Sequence, residues 1–249
     1  MRPFTLAVLC VVPAAAQIAA PSAGFVRDAG GEVRPVAGVS GAFTLPPGSG
    51  LQALWGAFSG RVGLWLTADK LVLTDASGQP ADSYPVSGPG AAAAFSRSGA
   101  SGVVWLAASG ELLAFPGWQP RPVPAWNGSP VALSLNRGVL KAVIQQDGGL
   151  WLAESSLEDG AILAQRLLPA WEAPVLLLPD GTLLHSTDDA VVVSPPDGSD
   201  QRIETASRPG AIEAMGPGWA AIRCGGLVYA LNLSTLELHR LPHSSGGVQ

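Results

Sequence analysis

Cysteine is almost missing from this chain: among 249 residues only Cys10 and Cys224 occur. If Cys10 is removed with a leader, no intramolecular disulfide can form, and the core must stand on apolar burial alone. Lysine is equally scarce, with Lys70 and Lys141 the only two beside 12 arginines, and the formal net charge is −5. No stretch gathers basic residues. That excludes nucleic acid and an anionic membrane surface as partners, since both need clustered cations. Outside the leader no apolar run approaches the roughly 18 residues that a membrane span requires. Charged residues make up 13% and apolar residues 47% of the chain, so the low charge reflects a large core and not disorder. Uninterrupted helix-forming sequence is also missing, because 22 prolines and 31 glycines break it throughout. A fold of long helices is excluded.

The N-terminus reads as a secretory leader over residues 1–16. Arg2 supplies a positive charge, an apolar run follows, and Ala14-Ala15-Ala16 has the small-x-small character of a cleavage site. Leu9 stands before Cys10 where a lipidation signal has a small residue, which argues against a lipid anchor. The expectation is an exported chain, periplasmic or extracellular, with residues 17–249 forming one domain.

Internal repetition dominates that domain. Short apolar runs begin at Leu71, Leu112, Leu150, Val191 and Leu227, with steps of 41, 38, 41 and 36 residues. This is close to the period of roughly 40 to 45 of a four-stranded propeller blade. Before them lie matching runs at Val62–Leu66, Val103–Leu106, Val139–Val143, Thr182–His185 and Trp219–Ile222, read as second strands. Candidate innermost strands are Ala53–Trp55, Ala93–Phe95, Val131–Leu133, Val175–Leu177 and Ile212–Ala214. Outer strands are expected at Tyr84–Val86, Arg121–Val123, Ala164–Leu168, Gln201–Glu204 and Glu237–Leu241, with Pro85 and Pro122 suited to an unpaired edge. Asp-Gly pairs at 147, 159, 180 and 197 mark tight turns in which glycine takes a positive φ. Trp65, Trp105, Trp151 and Trp219 are expected to pack between sheets. Ahead of these units, Phe25–Asp28 and Glu32–Val36 look like a third and fourth strand lacking a first and second. The predicted fold is all-β, a propeller of six four-stranded blades with one incomplete, or five blades plus an N-terminal hairpin.

The spacing, the segment Gly148–Glu154 (Gly-Gly-Leu-Trp-Leu-Ala-Glu) and the opening Gly24–Asp28 with Arg34–Gly41 make most of the chain similar to exported bacterial β-propellers of the broad WD40/YVTN-like kind. The resemblance is architectural. It implies the wheel-like fold and carries over no functional residue.

Motifs that carry chemistry are few. There is no Gly-x-Ser-x-Gly, Walker loop, Gly-x-Gly-x-x-Gly or Cys-x-x-Cys. His239 and His243 have zinc-like spacing, but Pro242 lies between them, and no metal or cofactor is expected. His185 with Asp188 and Asp189 could form an oriented base, the bland alternative being a solvated strand histidine. Cys224 reads as a structural thiol with no nearby base.

Loops on a rigid scaffold most often hold function, so the face bearing the inter-blade links and the second-to-third-strand turns is where a site belongs. It collects Asp69, Lys70, Asp147, Asp188 and Asp189, with Trp126, Asn127, Trp171 and Glu172 from the links. Pro124-Ala125-Trp126 and Pro169-Ala170-Trp171 repeat after 45 residues, either as two aromatic platforms or as blade packing. Glu213 on an innermost strand is expected near the central channel, as a lining charge or as a hydrated, idle one. These residues suit a non-catalytic, monomeric module that binds a protein, peptide or glycan. The alternative is a hydrolase or lyase with dispersed carboxylates.

Overall fold

The computed structural model describes residues 21–168 and 171–242. The expected leader, Cys10, Pro169, Ala170 and His243 lie outside the described residues. The chain forms a six-bladed β-propeller, with no helix among the described residues. Among the described residues no helix is long and apolar enough to cross a membrane.

Blade 1 contains β1 (Ser22–Arg27), β2 (Val33–Val39) and β3 (Ala42–Thr44). Blade 2 contains β4 (Trp55–Phe58), β5 (Gly63–Leu66), β6 (Lys70–Thr74) and β7 (Pro80–Pro85). Blade 3 runs through β8 (Ala91–Phe95), β9 (Gly102–Leu106), β10 (Glu111–Phe115) and β11 (Gln119–Pro120). Blade 4 comprises β12 (Ser129–Asn136), β13 (Val139–Gln146), β14 (Gly149–Ser156) and β15 (Ile162–Leu168). Blade 5 comprises β16 (Glu172–Leu177), β17 (Leu183–Ser186), β18 (Ala190–Ser194) and β19 (Gln201–Glu204). Blade 6 is β20 (Pro209–Gly216), β21 (Trp219–Cys224), β22 (Leu227–Asn232) and β23 (Leu238–Arg240). Each blade is an antiparallel meander in sequence order.

The middle strands are apolar because they are buried on both faces. On β13, Ala142 and Ile144 pack toward blade 3 while Val143 packs toward blade 5. On β17, Leu183 joins the cluster with blade 4 and Leu184 the one with blade 6. Six such clusters fill the six gaps between neighbouring blades. Buried strands therefore read as short continuous apolar runs and not as an alternation, which is why the repeat was visible.

Trp65, Trp105 and Trp219 pack between blades as expected. Trp65 sits against blade 1 and donates its indole N–H to Thr74 Oγ1 at 3.0 Å. Trp151 is half-buried on β14, opposite Ile144. Of the Asp-Gly turns, Gly148, Gly160 and Gly181 have φ of 94°, 73° and 93°. Gly198 does not take a positive φ, so that turn differs from expectation.

Three expectations need correction. The N-terminal hairpin supplies the first and second strands of blade 1, not the third and fourth. Its third strand is only Ala42–Thr44, cut short by Pro46-Pro47-Gly48. Residues 49–53 then run beside Gly31–Val33, with Val33 donating to the Leu51 carbonyl at 2.9 Å, and cover the rest of that edge. In blade 3 the outer strand is Gln119–Pro120, just before the expected Arg121–Val123. In blade 2 the innermost strand begins at Trp55, where the expected run ended.

Blade 6 draws its four strands from residues 209–240, so among the described residues no sheet joins strands of blade 1 to strands of blade 6. The ring closes through side chains. Phe43 meets Trp219 edge-on at 5.3 Å, and Ala23, Val26 and Val36 pack against Met215, Ala221 and Ala230. Arg27 pairs with Glu213 across 186 residues, using Nη2 on one oxygen and Nε at 3.3 Å on the other.

Candidate functional site

The loop face carries the inter-blade links and the turns between second and third strands. Between blades 4 and 5 it holds a cleft of about 500 Å³. The turn from β13 to β14 contributes Gln145, Gly148 and Gly149; Leu167 and Leu168 come from the end of β15. Trp171, Glu172 and Ala173 come from the entry to β16, and Arg208 from the link into β20. Gly148 and Gly149 both lie in the left-handed half of φ, at 94° and 135°, a pairing that only glycine adopts without strain. Because they carry no side chains, their backbone is open to the cleft.

Trp171 is held in place from behind. Its ring stacks on His185 of β17, with centroids 4.3 Å apart and planes 14° from parallel. His185 is buried, and burial pushes its pKa down, against smaller upward pulls from the Ser186 carbonyl and Asp200. The imidazole beneath the indole is therefore neutral at pH 7. One indole face is covered by the imidazole, and the half-buried side chain both packs on the blade 4–5 core and lines the cleft.

The charged rim is cross-linked by arginine. Arg208 binds Glu172 through Nη2 and reaches Asp188 Oδ1 through Nη1 at 3.4 Å. Farther out, Arg202 bridges Asp189 and Glu204, the latter at 2.9 Å. These pairs are exposed and add little stability, but they fix side-chain directions. Arg208, which lines the cleft, is thus shared by two carboxylates, Glu172 in the lining and Asp188 beside it.

The predicted residues are thus brought together in part. Trp171 and Glu172 line the cleft, Asp147 lies at its turn, Asp188 joins through Arg208, and Asp189 sits beyond on Arg202. Trp126 and Asn127 belong to the neighbouring junction of blades 3 and 4. Trp126 packs on Trp105 at 5.7 Å and 73°, so it serves blade packing, and Asn127 is exposed beside it. The two tryptophans do not share a platform. Asp69 accepts from Thr67 Oγ1 at 2.9 Å within the β5–β6 turn, apart from the cleft.

His185 does not pair with Asp188 or Asp189, which turn to arginine, and it is buried instead of solvated. His239 packs against Phe43 and Trp219 and lies 3.8 Å from Glu237. Among the described residues no three of His, Cys, Asp or Glu gather as metal ligands. Cys224 is buried, and burial raises its pKa against a smaller opposing pull from Thr205. Glu213 does reach the channel, a cavity of about 90 Å³ lined by β4, β8, β12, β16 and β20. Its carboxylate is engaged by Arg27, with Arg223 Nε 3.7 Å away, and is not an idle hydrated charge.

Sequence reasoning missed Arg208 and Gln145. Arg208 occupies the same kind of inter-blade link as Glu172, and that position was the available signal. Gln145 is the last but one residue of β13 and carries no motif.

No protein family matches the chain, and no curated protein does. Solved structures do match. TolB from Acinetobacter baumannii is 14% identical, with 90% of this chain and 63% of that chain covered and a TM-score of 0.62. A gluconolactonase from Xanthomonas campestris is 15% identical, with 89% and 86% covered and a TM-score of 0.57. A chain of a nidogen/laminin complex is 15% identical, with 86% and 90% covered and a TM-score of 0.56. This chain therefore spans somewhat less than two thirds of the TolB chain. At such identities the likeness shows the fold alone, and the propeller expectation holds.

Proposed function

We propose that this chain is an exported, non-catalytic binding propeller, released from a leader at residues 1–16, whose ligand occupies the loop-face cleft between blades 4 and 5. The observation that carries this reading is the cleft itself. It combines an aromatic wall fixed by a histidine stack, an open glycine turn, and a polar rim whose carboxylates are tied to arginine. A concave site with a few convergent polar groups on a rigid scaffold is the usual form of a ligand site. Carboxylates whose oxygens are already paired with a guanidinium favour recognition, because the pairing fixes the directions of both groups.

Two experiments test the reading. Backbone NMR of the labelled chain, titrated with oligosaccharide and peptide mixtures, is expected to shift signals at residues 145–150, 167–168, 171–173 and 208. Shifts confined to the channel or the opposite face would overturn the site. Expression of the full chain in a Gram-negative host is expected to yield a periplasmic product beginning at Gln17; retention of Met1 in the cytoplasm would overturn export.

A further inference from the structure

We infer that the ligand class of the blade 4–5 cleft is carbohydrate, specifically a neutral or amino-bearing sugar. This rests on the reading of that cleft as the binding site and narrows it by the chemistry of its lining. A pyranose ring presents a flat face of C–H bonds and a rim of hydroxyls that both donate and accept. The cleft presents the complement.

Trp171 offers one indole face, held by the His185 ring at 4.3 Å behind it, so little side-chain freedom is lost when a sugar stacks on it. Around it stand planar polar groups of both senses. Gln145 can donate and accept, Glu172 accepts, and Arg208 donates from a guanidinium oriented by Glu172 and Asp188. Gly148 and Gly149 add backbone groups that a ring can approach closely.

The lining fits a peptide less well. A peptide anchors by sinking an apolar side chain into a desolvated pocket. Here the aliphatic contribution is Leu167, which is exposed, and Leu168, which is already buried in the core between blades 4 and 5. Electrostatics narrows the sugar further. Arg208 lines the cleft already paired with two carboxylates, Glu172 and Asp188, so an acidic sugar is repelled, whereas a neutral or aminated one is not.

The test is calorimetric titration, at low salt and pH 7, with five tetrasaccharides and one capped aliphatic tetrapeptide. The sugars are cello-, manno-, chito-, chitosan and galacturonate tetramers, run against wild type, Trp171→Ala, Trp171→Phe and Arg208→Gln. At least one neutral or aminated tetramer is expected to bind, with affinity at least tenfold above the galacturonate tetramer. Trp171→Ala should weaken it tenfold or more, Trp171→Phe should restore part of the loss, and Arg208→Gln should weaken it severalfold in a fully folded chain. The inference is overturned if no sugar binds at about 10 mM, if the galacturonate tetramer binds best, or if sugar affinity is indifferent to both Trp171→Ala and Arg208→Gln. Peptide binding lost in Trp171→Ala would sink the sugar assignment and keep the cleft. Binding of sugar or peptide alike that ignores both positions would sink the cleft reading as well.

Discussion

Replacing Arg27 by methionine isolates the device that closes the ring. Arg27 and Glu213 keep only 12% and 8% of their side-chain surface exposed, and their hydrogen bonds join the first strand to the last blade. Arg27 also donates to the Ala53 and Leu54 carbonyls, which ties blade 2 into the same junction. Methionine preserves much of the stem but leaves the Glu213 carboxylate buried, with Arg223 Nε at 3.7 Å as its remaining cation. Removing one partner of a buried pair costs about 3–5 kcal/mol, because the other charge stays desolvated. For a domain of this size each kcal/mol shifts the melting temperature by about 2–4 °C, so the expected drop is roughly 6–20 °C. Equilibrium urea unfolding followed by tryptophan fluorescence should show a lower midpoint at unchanged slope. The Arg27→Met/Glu213→Gln double variant should recover part of the loss, with a coupling energy of about 0.5–3 kcal/mol. A single-variant cost below about 1 kcal/mol, or strict additivity in the double variant, would refute the closure argument.

Gly24 has φ of 127°, and a Cβ there would stand 1.8 Å from the Met215 carbonyl oxygen of blade 6. Gly24→Ala should therefore cost well over 2 kcal/mol, whereas Gly41→Ala, with φ of 82° but open space around it, should cost only about 1–2 kcal/mol in a thermal melt. Burial lowers the His185 pKa below its unfolded value of about 6.5, so the unfolded chain binds the extra proton first. Stability should be full above that pH and decline as pH falls through the window below it; a His185→Phe chain with the same pH slope as wild type would show that His185 is not the cause. In a Cys10→Ser background, Cys224 should resist a thiol reagent until urea unfolds the chain, since its sulfur is buried and its pKa raised; reaction within seconds of mixing in buffer would contradict the packing.

The blade repeat was legible because burial on two faces imposes a compositional rule on every middle strand. Val191–Ser194 and Leu71–Thr74 announce themselves without any knowledge of their neighbours. Outer strands were less legible. They are paired on one side only: Gln201–Glu204 lies where it was expected, but Pro80–Pro85 begins four residues before the expected Tyr84–Val86, and Gln119–Pro120 is too short to carry a pattern. The role of the N-terminal hairpin was misread for the same reason. Ala42–Thr44 is three residues long and sits among glycines and prolines, so the hairpin seemed to end its blade when it begins it. At the cleft, Trp171 and Glu172 could be named from their place in a link. Which of Trp126 and Trp171 would line a cleft could not, because each repeats the same local pattern and they differ only in the ring each packs on, Trp105 or His185.

The sequence alone determined the β-rich character, the period near 40 residues and the near-absence of cystine chemistry. Each follows from local composition, which burial on two faces or exposure on one dictates residue by residue. The tertiary structure alone decided that Arg27 meets Glu213, that His185 lies under Trp171 and that Arg208 joins Glu172 to Asp188. These contacts join residues 14 to 186 positions apart: Arg27 meets Glu213 only through the way blades 1 and 6 are set against each other, and the other two bring link residues onto a strand or turn that no local pattern foretells.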